Sequence, residues 1–68
     1  MENKPLELLN SAINKKVKVH LKNGTIIEGI LLSFDIHTNM VIKTNVELKN
    51  EYLFIRGDGV VYISIERE

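Results

Sequence analysis

Apolar residues recur along this chain at two spacings, and the change from one to the other falls near Asn14. In KPLELLNSAINK, Leu6, Leu8, Leu9, Ala12 and Ile13 return at roughly helical intervals. Pro5 falls in the first turn, where its missing N–H costs nothing. Asn3 is a better chemical choice than Lys4 for the cap. The pattern predicts a short amphipathic helix from about Lys4 to Ile13, ended by Asn14.

After Asn14 the period becomes two. Val17, Val19 and Leu21 alternate with Lys16, Lys18, His20 and Lys22, the pattern of a half-buried strand over about 15–22. Asn23-Gly24 is a strong hairpin signal because both residues accept positive φ. A second strand follows over about 25–34. Its register stays open, since a two-residue turn and a three-residue turn with a Gly24 bulge send opposite faces of that strand inward. Gly29 in its middle has no side chain to pack and suits a sharp bend or a close backbone approach. Strands over about 40–47, 52–56 and 59–65 complete the plan, with a short polar link around LKN and a turn at Gly57-Asp58-Gly59. One helix followed by five strands, the second long and bent, is the plan of a small closed or nearly closed barrel in a single domain spanning residues 1–68.

Composition narrows what such a barrel could do. A domain of 68 residues buries a modest share of its surface and gains from disulfides, metal or oligomerisation. The chain has no cysteine, which removes disulfides and thiolate metal sites and is compatible with a reducing cytosol. Oligomerisation is the prop that remains. Strands four and five, Tyr52–Ile55 and Val60–Ile65, are apolar on both faces, and exposed edges of that kind invite aggregation unless paired. Head-to-tail pairing of one subunit's edge with a different edge of the next closes into a ring when the rotation fits. The expected state is therefore an edge-paired homo-oligomer. MENKPLELLN is not a secretory signal, and no apolar run approaches the roughly 20 residues of a membrane helix, so a cytoplasmic protein without membrane partners is expected. Nine basic and nine acidic residues exclude binding to nucleic acid by bulk charge alone.

Two longer stretches resemble a known family. KVHLKNGTIIEGILLSFDIHTNMVI is similar to the first motif of Sm and Sm-like proteins, with Gly24, Gly29, Asp35 and Asn39 at the family's positions, and LFIRGDGVVYIS is similar to the second. The RGD form of the second motif and His37 resemble the archaeal members most. The resemblance covers nearly the whole chain. It implies a mostly β fold: an N-terminal helix over a strongly bent five-stranded antiparallel small barrel of the SH3-like or OB-like kind. It further implies a ring, usually of seven subunits, joined by strand four of one subunit and strand five of the next, binding single-stranded uridine-rich RNA around the pore and acting in RNA processing or ribonucleoprotein assembly. The Tyr-Lys-His second motif of the bacterial relative Hfq is not present. Thr38 replaces a usual Met, and the short link between strands three and four makes an extended loop there unexpected.

Side-chain chemistry agrees with that implication. A single-stranded base offers two flat faces and a hydrogen-bonding edge, so a minimal pocket needs two stacking planes and one edge-reading group. His37 and Arg56 have planar side chains, and Asn39 carries a donor and an acceptor that suit the uracil edge. By resemblance, His37 and Arg56 sandwich the base, Asn39 supplies specificity, Asp35 orients Asn39 or its loop, Gly57 permits close backbone approach, and Asp58 contacts the base or braces the neighbouring loop. Taken alone, Asp35 and Asn39 are common turn formers and favour a plain turn, and His37 is an ordinary surface histidine. Arg56-Gly57-Asp58 at the matching later position reverses that balance. Lys15, Lys16, Lys18, His20 and Lys22 read as the solvated face of strand one, with no role for His20. Asp35 and His37 could form an acid–base pair or a weak metal site, but no HExxH or Gly-rich phosphate loop accompanies them. No enzyme activity, metal, cofactor or small-molecule substrate is expected. The alternative is a barrel serving as a protein-interaction or assembly module without RNA. Peptide grooves of that kind use clustered aromatics, and of Phe34, Tyr52, Phe54 and Tyr62 three fall in the strands expected to pair between subunits.

Overall fold

The computed structural model describes residues 5–46 and 48–66. Helix α1 spans Pro5–Ser11 and stops short of the predicted Ile13. The amides of Ala12 and Ile13 bond to the carbonyls of Leu9 and Asn10, three residues back, which tightens the exit. Asn14 then takes φ 68°, a left-handed conformation that Asn tolerates. Its N–H donates to the Leu31 carbonyl at 2.7 Å, tying the helix exit to the sheet. Leu9 and Ala12 are buried and Ile13 packs against them, an i, i+3, i+4 stripe. The expected cap Asn3 and the expected strand end Glu47 lie outside the described residues.

The strands are β1 (Lys16–Leu21), β2 (Ile26–Phe34), β3 (Met40–Val46), β4 (Lys49–Ile55) and β5 (Val60–Ile65), with a 3₁₀ turn at Gly57–Gly59. They form one antiparallel sheet in the order β4-β3-β2-β1-β5. The β1–β2 hairpin settles the register that the sequence left open. Leu21 N–H donates to Thr25 O at 2.9 Å and Gly24 N–H to Leu21 O at 3.0 Å, with Gly24 at φ 87°. This is the three-residue turn with a left-handed glycine, further held by Thr25 N–H donating to Asn23 Oδ1. It turns Ile27, Gly29 and Leu31 toward the core and Ile26, Glu28 and Ile30 away from it.

Gly29 pairs with Val17 where β3 crosses close by. A Cβ at this position would lie 2.5 Å from the Lys43 carbonyl oxygen and 2.6 Å from Ile42 Cγ2, so only glycine lets the strand bend onto its neighbour. A register shift between Leu31 and Ser33 adds curvature further along β2, as bulges do. The curved sheet encloses Val17, Val19, Leu31, Met40 and Ile42, capped by Leu9 of the helix and Ala12 of its exit turn and closed at one end by Ile55. Full burial of each aliphatic side chain contributes about 1.5–3 kcal/mol.

The β3–β4 connection is tighter than the polar link expected. Asn45 pairs with Asn50 and Val46 with Lys49, so Lys49 and Asn50 belong to the strand. Leu48 makes the turn at φ 68° and is 96 % exposed. The two ends of the sheet, β4 and β5, expose Tyr52 and Phe54 on one and Val61 and Tyr62 on the other. The barrel of a single chain is thus left open along two apolar edges. On β5, Tyr62 stacks on the cross-strand His20 with ring centroids 3.9 Å apart, the contact that occupies the histidine to which no role was assigned.

Candidate nucleic-acid interface

The β2–β3 loop is built around one carboxylate. Asp35 Oδ1 accepts the N–H of His37 at 2.8 Å and that of Asn39 at 3.1 Å, while Oδ2 accepts Nδ2 of Asn39 at 3.0 Å. Backbone bonds from Asp35 N–H to Asn39 O and from Thr38 N–H to Asp35 O close the same turn, and Thr38 takes φ 65° to complete it. Charge-assisted bonds of this kind favour the ionised form. The Asn39 side chain first, and then the two backbone amides, hold the Asp35 carboxyl below its ordinary range.

The second half of the site arrives from the β4–β5 turn. Gly57 N–H donates to Asn39 Oδ1 at 2.7 Å. A Cβ on Gly57 would collide with the His37 carbonyl oxygen and lie 2.9 Å from the Thr38 carbonyl carbon, so the two loops touch through a residue with no side chain. Asp58 makes no hydrogen bond to the other loop; its exposed carboxylate turns back, and Oδ2 accepts Nη2 of Arg56 at 3.0 Å. The expected brace is therefore local to Arg56.

The structure brings Asp35, His37, Asn39, Arg56, Gly57 and Asp58 together at one end of the sheet. His37, Asn39, Arg56, Gly57 and Asp58 line an open hollow of about 530 Å³. Its geometry fixes the Asn39 amide: Oδ1 must face an N–H donor and Nδ2 must face a carboxylate. One N–H and one oxygen lone pair of that amide remain for a ligand. The Arg56 side chain is 85 % exposed, leaving the plane of its guanidinium accessible for stacking.

One participant carried no signal that the strand pattern could separate from an ordinary polar face. Lys22, at the start of the β1–β2 turn, donates its backbone N–H to Gly59 O at 2.9 Å. The Arg56–Gly59 turn is therefore held from two sides, by Asn39 and by the β1–β2 turn.

A bent five-stranded sheet under a short N-terminal helix, with a polar pocket made by the β2–β3 and β4–β5 loops, defines a small-barrel protein of the Sm fold class. The LSM domain family model matches residues 7–65, and the chain belongs to that family. It is 41% identical over 71 aligned positions to the snRNP Sm-like protein of Methanococcoides burtonii, covering 94% of this chain and 99% of that protein. Among solved structures it is similar to the SmAP1 heptamer of P. aerophilum (TM-score 0.81, 27% identity, 100% of both chains). It is also similar to the Sm protein of Pyrococcus abyssi in complex with a uridine heptamer (TM-score 0.80, 31% identity, 94% of this chain and 100% of that one).

Proposed function

We propose that this protein assembles into a closed ring through its β4 and β5 edges and binds single-stranded uridine-rich RNA at the pocket formed by His37, Asn39 and Arg56. It would act in RNA processing or ribonucleoprotein assembly in the cytoplasm, as a binding protein and not as an enzyme. The observation that carries this reading is the Asn39 amide, held by Asp35 on one side and the Gly57 N–H on the other, with one donor and one acceptor left over. Uracil presents an N–H beside a carbonyl, the complement of that pair. His37 and Arg56 border the same hollow and supply the two planes between which a base stacks, worth about 1–3 kcal/mol per base. Asp58 keeps the guanidinium of Arg56 in place, and Asp35 keeps Asn39 in place.

The exposed aromatics of β4 and β5 favour edge pairing over a peptide groove, because Tyr52, Phe54 and Tyr62 lie on separate edges of the sheet. A relative that forms a heptamer and another bound to a uridine heptamer support both halves of the proposal. One pocket per subunit, repeated around a ring, becomes a tight composite site through effective concentration. The test is Asn39→Ala: oligouridine binding should weaken while the oligomer mass stays unchanged in native mass analysis. An equal loss for oligoadenine would remove the base-reading role, and a monomer at micromolar concentration would remove the ring.

A further inference from the structure

The base pocket is poorly furnished for the rest of a nucleotide. The one guanidinium that lines it is already engaged by Asp58, and a second carboxylate, Asp35, stands behind Asn39. An RNA strand brings a negative phosphate with each base, so cations must come from beside the pocket. Among the described residues the ion pairs engage Lys16, Lys18 and Arg56. Lys22 stands apart from these, and its backbone bond to Gly59 O anchors it against the turn that carries Arg56.

Lys22, Asn23, Arg56 and Gly59 border a second hollow of about 440 Å³ whose floor includes Leu53 and Ile55. Arg56 is common to this hollow and to the base pocket, so the two adjoin across its side chain. Asn23 is fixed by the bond its Oδ1 accepts from Thr25 N–H, which leaves its amide NH₂ as a donor for an anion. The apolar floor lies along the edge strand that a neighbouring subunit would cover, while the polar rim stands at the turn.

We propose that Lys22 and Asn23 form a phosphate subsite beside the base pocket, receiving the backbone phosphate next to the base held by His37, Asn39 and Arg56. The proposal rests on the RNA-binding reading above. It divides the labour between loops: the β2–β3 and β4–β5 loops read the base, and the β1–β2 turn holds the strand without regard to sequence.

The experiment measures affinity of the full chain for oligouridine and oligoadenine across a salt series, using wild type, Lys22→Ala, Lys22→Arg and Asn39→Ala. Lys22→Ala should weaken both ligands by the same factor, about three- to tenfold at low salt. It should also flatten the plot of log K against log salt, by about 0.7 for each phosphate that is no longer neutralised. Lys22→Arg should restore both quantities, and Asn39→Ala should remove the uridine preference while keeping the wild-type slope. Wild-type affinity and slope in Lys22→Ala, with oligouridine still bound by wild type, would overturn the subsite and leave the function intact. Loss of uridine preference in Lys22→Ala at an unchanged slope would likewise overturn it, because Lys22 would then act only by placing Arg56. No oligouridine binding by wild type would overturn the reading beneath.

Discussion

Asn39 and Gly57, eighteen residues apart, are joined by a 2.7 Å hydrogen bond from the glycine amide to the asparagine side-chain oxygen. This bond makes the β2–β3 and β4–β5 loops one unit. It also determines which way round the Asn39 amide points, because only the oxygen can accept from an N–H. The orientation of the residue proposed to read the base is thus a product of the fold and needs no ligand to set it.

Asp35→Asn should disturb that orientation more than the loss of a charge suggests. The new side chain can present its one oxygen to the amides of His37 and Asn39, but then its NH₂ faces the NH₂ of Asn39. Satisfying that pair requires flipping Asn39, which would aim its NH₂ at the Gly57 N–H. We expect weaker oligouridine binding with the fold retained, read by titration calorimetry and by the amide resonances of His37, Asn39 and Gly57.

The lowered Asp35 pKa predicts an acid limit for the same loop. A carboxylate whose folded pKa lies below its unfolded value adds stability that is complete above the unfolded value, near 3.9 for aspartate. That stability is lost as pH falls through the folded one. The side-chain carboxyl resonance of Asp35 should therefore hold steady from neutral pH down to about pH 4 and shift below it. A transition near neutrality would show that another group governs the loop.

Gly57→Ala adds one methyl group where the His37 carbonyl already stands. The clash is with backbone, so relief requires the loops to separate. A cost of about 1–3 kcal/mol is expected from overpacking of this kind, together with loss of oligouridine binding. Denaturant melts compared at matched subunit concentration would measure the first and binding isotherms the second. Gly59→Ala, where an added Cβ meets nothing within 4 Å, is the packing control and should melt as wild type.

Much of this was legible in the sequence, for reasons that differ by element. The period-two alternation of Val17, Val19 and Leu21 places β1 directly, because each of those positions faces a core. Gly29 advertised a close approach by lacking a side chain in an apolar strand. The turn at Gly24 could not be read to the residue, since Asn-Gly satisfies two turn types and only the pairing of Leu21 with Thr25 decides between them. The start of β4 was hidden because Lys49 and Asn50 are polar and exposed; their strand conformation comes from pairing with Val46 and Asn45, not from burial. Of the site residues, the spacing of Asp35, His37 and Asn39 suggested one loop and the resemblance supplied the other. That Asp58 turns back on Arg56 is a side-chain choice within one turn, and that Lys22 abuts Gly59 is a fact of tertiary geometry; neither has a periodic pattern to betray it.

The open ends of the sheet have an arithmetic consequence. If each subunit offers β4 to one neighbour and β5 to the other, the number of copies that close a circle follows from the angle between those two strands across a single chain. That angle accumulates through the sheet, at the bend of Gly29 and at the register shifts beside Leu31 and His20. The curvature inside one small domain is then the quantity that counts subunits, and residues far from any contact between copies become the ones that choose the size of the circle.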